Sequence, residues 1–129
     1  MSASDFETTK TSNFRFKEIV VKEYSYQVQS GGVRGQPVEV LEKNDGKERS
    51  YSLFHIIRHS PDGFNFGYGG SGPADLALSM LTDAVGKTLA ERWYQQFKFE
   101  VIAGLPRDNS WVITENQIFG WLKEKGEEI

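Results

Sequence analysis

A glycine-rich stretch near the middle of the chain holds the residues whose types and spacing best suit ligand binding. Four glycines fall within six residues, at Gly67, Gly69, Gly70 and Gly72. Glycine allows positive φ angles and close approach to the backbone, and Pro73 suits the first position of a helix. We therefore expect a strand-to-helix turn with Gly72 as the N-cap. Backbone N–H groups at such a turn, together with the positive end of the helix dipole, are typical of an anion or nucleotide site.

The expected contacts at this turn follow from the chemistry of its side chains. Tyr68 would stack on a base, and the N–H groups of residues 70–72 would donate to a phosphate. Arg34 and Arg58 are candidate counter-charges by their chemistry alone. The predicted ligand-binding residues are thus Tyr68, Gly69, Gly70, Ser71, Gly72, Arg34 and Arg58.

A purely structural interpretation of the same turn competes with the functional one. The stretch has neither a Walker lysine nor the Gly-x-Gly-x-x-Gly spacing of a dinucleotide site. Asp75, expected in the first helical turn, would complement the helix dipole but would repel a phosphate at the helix end. The glycines could instead serve only to reverse the chain sharply beneath bulky aromatic side chains.

Catalytic and metal-binding side chains are scarce in this sequence. His55 and His59 are the only histidines, and on one strand they would lie about 13 Å apart at ~3.3 Å per residue, too far to share a metal. Ser71 is the one suggestive nucleophile, but it lacks the Gly-x-Ser-x-Gly elbow. The members of a Ser–His–Asp triad meet only in space, so an enzyme is kept as an alternative. We expect a non-enzymatic protein with no cofactor and no metal.

Length and composition narrow the class of protein further. A chain of 129 residues is expected to form one domain, and a net charge of −3 argues against binding nucleic acid through overall charge. The absence of cysteine excludes disulfides and thiolate metal sites. No apolar run approaches the ~18 residues needed to cross a membrane, and the N-terminus lacks the apolar centre of a signal peptide. These features predict a cytoplasmic protein without membrane contact.

Alternation of apolar and polar residues predicts strands in the first half of the chain. Residues 1–12 are expected to be a flexible polar tail, residues 13–126 a single domain, and residues 127–129 a frayed end. Asp45-Gly46, between two alternating runs, predicts a β-hairpin. The returning strand at 50–58 is apolar on both faces and is expected to be central, and an aromatic strand is predicted at 64–68.

Helical spacing of apolar residues predicts three helices in the second half. The first is expected over 73–85 and is closed by Gly86. The second would be capped by Thr88 with Glu91, and the third by Thr114 with Gln117, both as capping boxes. A short extended run at 111–113 precedes the third helix. The fold class predicted is α+β, with a mainly antiparallel N-terminal sheet followed by three helices packed on one of its faces.

Several motifs resemble those of an uncharacterised family. The stretch 64–81, FNFGYGGSGPADLALSML, is similar to a core of the type Phe-x-Trp-Gly-Tyr-Gly-Gly-Ser-Gly-Pro-Ala-x-Leu-Ala-Leu, with Phe66 in place of the tryptophan. YQQFKFEVIAGLP at 94–106, followed by W-x-I-T and I-x-x-W-L, resembles the remainder of the pattern. The family is the one catalogued as domain of unknown function 6166, and the likeness covers roughly residues 31–122. It implies a bacterial, archaeal or phage origin and brings no established activity.

Two functions from different classes are therefore expected. The first is a binding module that holds a small anionic or nucleotide-like ligand at the glycine-rich turn. The second is a phage or mobile-element accessory protein that inhibits a host defence complex, of the anti-CRISPR or another anti-defence type, by binding a host protein. The partner is thus a small ligand or a host protein inside a bacterial or archaeal cell. An apolar sheet face left uncovered would also permit a homodimer.

Overall fold

The computed structural model describes residues 20–28 and 36–129, which form a four-stranded sheet and three α-helices. In chain order the elements are β1 (Val20–Tyr26), β2 (Glu39–Asn44), β3 (Lys47–Ser52), α1 (Ser71–Val85), α2 (Lys87–Glu100), a 3₁₀ turn (Ile102–Gly104), β4 (Trp111–Thr114) and α3 (Glu115–Glu124). The predicted α+β class is confirmed. The predicted tail at 1–12, the first residues of the predicted domain and Arg34 lie outside the described ranges.

The sheet has the strand order β3-β2-β1-β4, and each neighbouring pair is antiparallel. β2 and β3 form the predicted hairpin, whose two turn residues, Asp45 and Gly46, have φ angles of 53° and 80°. A type I′ turn requires positive φ at both of these positions, and Asp-Gly satisfies it. β4 confirms the extended run at 111–113, and its pairing with β1 returns the chain to the sheet between α2 and α3.

One face of the sheet is buried against the helices. Because side chains alternate along a strand, Tyr24 and Tyr26 share a face, where they are 0% and 5% exposed. Val40 and Ile113 lie directly opposite Tyr24 on the two neighbouring strands and are also buried. This apolar layer meets the buried side chains of the helices, Leu76, Met80 and Leu81 of α1, Ala90 and Phe97 of α2, and Ile118 and Leu122 of α3.

The prediction of a central strand at 50–58 is wrong. β3 ends at residue 52 and lies at the edge of the sheet. Beyond it, four backbone N–H groups of the 53–60 segment bond to side chains of α1. The N–H of Ile56 donates to Ser79 Oγ at 2.9 Å, and three further N–H groups donate to Asp75. Donors that are taken up by helix side chains cannot form a strand ladder, so the segment runs beside α1 instead.

The apolar residues on both faces of this segment have different environments. Leu53 is buried and Ile56 packs against the core. Phe54 and Ile57, in contrast, are 78% and 64% exposed. The two-sided apolar pattern therefore reflects one side that packs inward and one that faces solvent, rather than a strand buried between neighbours.

The aromatic stretch at 64–68 is also not a strand, although its aromatic side chains belong to the core. Phe64 and Phe66 are 5% and 1% exposed, and the Phe66 ring makes edge contacts with Tyr26 at 4.8 Å and Trp111 at 5.2 Å between ring centres. The backbone of the stretch makes isolated bonds, such as Gly67 N–H to the Ile102 carbonyl at 3.0 Å. Alternation here arises from side-chain packing without sheet pairing.

The helix boundaries agree with the prediction at the end of α1 and the start of α3, and depart from it at the starts of α1 and α2. α1 begins at Ser71 with Gly70, not Gly72, as the N-cap. Gly86 closes α1 with a φ of 90°, but α2 then begins at once, and no side chain caps it. The predicted capping box of Thr88 is therefore wrong. None of the helices in the described ranges is both long and apolar enough to cross a membrane.

Candidate functional site

The glycine-rich turn lies where the aromatic stretch enters α1, as predicted. The N–H of Ala74 donates to the Gly70 carbonyl at 3.0 Å and makes the first helical hydrogen bond. Pro73 has no N–H, and the first N–H groups of a helix have no partner within it. Those of Ser71 and Gly72 bond to no other described residue. Ser71 is exposed, whereas Gly72 is buried.

The glycines of the turn are closely surrounded, which explains their number. A Cβ on Gly72 would lie 2.7 Å from Asn65 Cβ and 3.0 Å from Asn65 N, and a Cβ on Gly70 would lie 2.5 Å from Tyr68 Cε2. All three distances are shorter than van der Waals contact. The purely structural interpretation of the turn therefore has direct support.

The exposed side of the turn combines aromatic rings with the cation of Arg107, and Lys98, which is only 7% exposed, lies beside them. Tyr68 is 39% exposed, and the Arg107 guanidinium carbon lies 5.3 Å from the centre of its ring. Phe99 is 63% exposed and packs beside Gly69. Lys98 Nζ lies 4.0 Å from the centre of the Phe99 ring. We call Tyr68, Lys98, Phe99 and Arg107, together with the turn, the Tyr68 surface.

The two cations of the Tyr68 surface lack acidic partners among the described residues. Every ion pair within the described ranges is made by other cations, namely Lys22, Arg49, His55, Arg58, Arg92 and Lys125. No carboxylate of the described residues therefore compensates the charge of Arg107 or Lys98 by direct contact.

The predicted counter-charge Arg58 is compensated elsewhere. Its guanidinium makes two hydrogen bonds to the Glu91 carboxylate of α2, with Nη2 to Oε2 at 2.6 Å. The hydrogen bonds from Arg58 hold the pKa of Glu91 below its ordinary value. Arg34, the other predicted counter-charge, lies outside the described residues. Arg107, Lys98 and Phe99 did not emerge from the sequence because the contacts that bring them to the turn span about thirty to forty residues of chain.

Asp75 is the most completely bonded carboxylate near the turn. It is 0% exposed and lies in the second turn of α1, not in the first as predicted. Its oxygens accept from the N–H groups of residues 58–60 and lie 2.8 Å from His55 Nε2. Burial alone would raise the pKa of Asp75, but the hydrogen bonds from His55 and the three N–H groups outweigh it and lower that pKa. The negative charge is thus held by donors of the 53–60 segment.

The two histidines have separate partners. His55 Nε2 bonds to Asp75, and its ring lies 4.5 Å from that of Phe64. His59 Nε2 lies 3.0 Å from the Tyr94 hydroxyl oxygen. Within the described ranges, no group of three or more His, Cys, Asp or Glu side chains is arranged to hold a metal ion.

A second ionisable cluster joins the sheet to the C-terminal part of α1. Asp83 accepts from the Tyr24 hydroxyl at 2.6 Å, the Tyr51 hydroxyl at 2.8 Å and Lys22 Nζ at 3.2 Å. Burial and the bond to Asp83 raise the pKa of both tyrosines, so both remain protonated donors at neutral pH. The cluster fixes the sheet to the helix.

Of three comparisons with known proteins, one gives a match for this chain. No curated protein and no solved structure matches the chain. A family model described as a family of unknown function, DUF6166, matches residues 30–124, which include the Tyr68 surface, Asp75 and Asp83. Because the match covers most of the chain, this protein belongs to the DUF6166 family.

Proposed function

We propose that this protein is a non-enzymatic binding module that holds a small anionic, nucleotide-like ligand on the Tyr68 surface. The observation that carries the proposal is the position of Arg107 over the Tyr68 ring, beside the glycine turn. A guanidinium group binds phosphate in a bidentate manner, and an exposed aromatic ring offers a face on which a base can stack. These are the two kinds of contact that a nucleotide requires.

The charges of the described arginines favour Arg107 for this role. Arg58 is bonded to Glu91, and Arg49, which also lies over a tyrosine ring, is bonded to Glu42. Arg107 forms no ion pair with a carboxylate of residues 20–28 or 36–129. An anion that reaches Arg107 therefore does not have to displace a carboxylate first. The Tyr68 ring thus keeps its expected role in the proposed site, while Arg107 supplies the counter-charge that Arg58 does not offer.

The start of α1 adds weaker support. The free N–H of Ser71 is exposed at the positive end of the helix dipole, which favours an anion. Asp75 opposes this attraction, but its carboxylate is buried and its oxygens are occupied by backbone donors. The repulsion of a phosphate by Asp75 is for this reason weaker than the sequence suggested.

Isothermal titration calorimetry with ADP, adenosine and inorganic pyrophosphate tests this function. We expect ADP to bind more tightly than either fragment, because only ADP offers both a base and a diphosphate. Arg107→Ala should weaken ADP binding by about tenfold, the effect of losing ~1.4 kcal/mol of a charge-assisted contact. Arg49→Ala is the matched control, since it also removes an arginine above a tyrosine, and it should leave ADP binding unchanged.

If ADP fails to bind, or if the Arg49 and Arg107 variants weaken binding equally, the assignment of a nucleotide-like ligand to the Tyr68 surface is wrong. A fold control is simple because both arginines are exposed. Equal thermal unfolding of the two variants and the parent would show that a difference in affinity reports on the surface and not on folding.

A second candidate function is favoured by Phe54 and Ile57. Both side chains are exposed, yet the 53–60 segment that carries them is fixed to α1 by hydrogen bonds to Ser79 and Asp75. Exposed apolar side chains on a fixed backbone are suited to protein contacts. The protein partner proposed in this case is a component of a host defence complex, the target that an accessory protein of a phage or mobile element would inhibit.

Reconstituted interference assays test the second candidate. The protein would be added to purified CRISPR effector complexes, and target cleavage would be measured. We expect inhibition by the parent and its loss in the double variant Phe54→Ser, Ile57→Ser. Val21→Ser, which changes an exposed apolar residue of the sheet, is the control and should inhibit as the parent does. Full cleavage in the presence of the parent protein would count against this target.

A further inference from the structure

Among the described residues, one edge of β4 has no neighbouring strand. The pattern of hydrogen bonds across the sheet shows which of its residues point outward. Leu53 N–H donates to the Val38 carbonyl at 2.8 Å, and bonded and non-bonded pairs alternate along an antiparallel ladder. The observed register extends this alternation from β3 through β2 and β1 to β4. The N–H and carbonyl of Ile113 therefore point toward β1, and those of Val112 point away from the sheet.

The neighbouring residue supports this direction. Thr114, two positions from Val112, should also point its N–H outward, and that N–H donates to the side chain of Gln117 at 2.8 Å instead of to β1. The N–H and carbonyl of Val112 bond to no other described residue. Within the part of the chain that the structure describes, β4 therefore offers one unpaired donor and one unpaired acceptor at its edge.

An apolar groove of about 290 Å³ runs along the same edge. It is lined by Phe97, Val101, Leu105, Val112, Ile113, Gln117 and Ile118. Val112 and Ile113 project to opposite faces of the sheet, so a groove that touches both must follow the edge of the strand. The apolar wall comes from the end of α2 and from α3, on the buried side of the sheet.

We propose that this groove binds an extended polypeptide segment of a partner protein, which adds a fifth strand to the sheet beside β4. An unpaired strand edge selects an extended backbone as its occupant because only another strand satisfies its donor and acceptor together. A small apolar molecule would leave both groups of Val112 without partners. The combination of a strand edge with an apolar groove is what distinguishes a peptide from a lipid or an aliphatic metabolite here.

The register also sets the side-chain pattern of the bound segment. Residues directly opposite one another on adjacent strands project to the same face. If the added strand is antiparallel, as every pair in this sheet is, the peptide residue opposite Val112 exchanges two backbone hydrogen bonds with it. That residue lies beside the Val112 side chain, which is 53% exposed. The peptide residues before and after it lie opposite Trp111 and Ile113 and project into the groove. The segment should thus read apolar-x-apolar, with a β-branched residue favoured at x.

The groove and the Tyr68 surface have no lining residue in common, so the peptide site does not depend on the proposed nucleotide function. Selection of phage-displayed random linear peptides on the full chain is the test. We expect enrichment of the apolar-x-apolar pattern and slowed hydrogen exchange of the Val112 amide when an enriched synthetic peptide is added. Methylation of the peptide nitrogen at x should abolish binding, because it removes a donor without changing the side chain.

Two variants separate this site from others. Val101→Arg places a charge in the groove and should abolish peptide binding, whereas Arg107→Ala should leave it unchanged. Failure of selection to enrich any pattern on the parent over Val101→Arg would overturn the proposal. So would equal binding of the methylated peptide, or protection of Val112 in the free protein through a second copy of the chain. The thermal unfolding of each variant shows whether it is folded.

Discussion

The Oδ2 atom of Asp75 lies 2.8 Å from Nε2 of His55, and this contact joins α1 to the 53–60 segment. The same carboxylate accepts from the N–H groups of Arg58, His59 and Ser60. One buried side chain thus replaces the ladder of hydrogen bonds that a strand would have given the segment. The position of Phe54 and Ile57 at the surface depends on it.

Asp75→Ala should therefore destabilise the protein strongly. The substitution leaves three backbone donors and His55 without their acceptor, and removing one partner from a buried charged network costs about 3–5 kcal/mol. Urea denaturation followed by tryptophan fluorescence measures the loss. Asp108→Ala, at an exposed position, is the control and should change the free energy of unfolding by less than about 0.5 kcal/mol. A loss from Asp75→Ala as small as that of the control would contradict the role of this carboxylate.

The same carboxylate predicts a dependence of stability on acid. The pKa of Asp75 is lower in the folded protein than in the unfolded chain, where it is about 3.9. A lowered pKa means that the unfolded state binds more protons, so the contribution of Asp75 is present above pH ~4 and is lost as the pH falls further. The difference in free energy of unfolding between the parent and Asp75→Asn should shrink between pH 5 and pH ~2. A difference that is constant over this range would show that folding does not change the pKa of Asp75.

The cluster of Tyr24, Tyr51 and Lys22 around Asp83 predicts a loss of stability at alkaline pH. Burial, followed by the bond to Asp83, raises the pKa of Tyr24 and Tyr51, and the contacts of Lys22 with Asp83 outweigh its burial and raise its pKa as well. A raised pKa gives stability that is present below the unfolded value of about 10 and is lost as the pH rises above it. Thermal unfolding should therefore move to lower temperature above pH ~10.

Tyr24→Phe isolates one member of this cluster. It should cost about 1.5–3 kcal/mol at pH 7, the value of a hydrogen bond to a charged group, and its alkaline loss of stability should be shallower than that of the parent. Tyr26→Phe is the matched control, because the Tyr26 hydroxyl bonds to no other described residue. Equal costs for the two variants at pH 7 would indicate that the bond to Asp83 contributes nothing.

The fold class could be predicted from the sequence because the residues that specify its turns and helix starts lie close together in the chain. Asp45-Gly46 specifies a hairpin turn, and Thr114 with Gln117 specifies a helix start, within a few residues of chain. The two predicted strands that failed, at 50–58 and 64–68, also carried apolar alternation. Their backbone partners are side chains or carbonyls distant in sequence, such as Asp75 and Ile102, and alternation alone does not reveal where a hydrogen bond goes.

Only half of the candidate site could be predicted from the sequence, for the same reason. The glycine turn and Tyr68 follow from local spacing, whereas Arg107 and Phe99 reach the turn through the packing of α2 and the loop after it. Arg58 has the chemistry of a counter-charge, but its pairing with Glu91 depends on how α2 packs beside the 53–60 segment. Tertiary contacts decide which of several arginines keeps an uncompensated charge.

The contribution of the α3 N-cap to stability can be compared with that of the cap predicted for α2. Thr114 accepts from the Gln117 N–H at 3.1 Å, and the Gln117 side chain accepts from the Thr114 N–H. Thr114→Ala should cost ~1 kcal/mol of folding stability. Thr88 occupies the corresponding place in the sequence of α2 but makes no capping bond, so Thr88→Ala should change stability by less than about 0.5 kcal/mol. A comparable cost at both threonines in urea denaturation would contradict the assignment of the caps.

Alanine at two glycines of the turn separates its structural from its binding role. A Cβ on Gly72 meets the backbone and Cβ of Asn65 in the buried interior, where neither can move away, so Gly72→Ala should cost about 1–3 kcal/mol through overpacking. A Cβ on Gly70 meets only the ring of Tyr68, which is partly exposed and can rotate outward. Gly70→Ala should leave the unfolding transition nearly unchanged but weaken ADP binding, because the ring no longer lies beneath Arg107. Calorimetric affinity and urea denaturation of both variants give the comparison. If Gly70→Ala binds ADP as the parent does, the Tyr68 ring is not part of the ligand site, and the glycines serve only the packing of the turn.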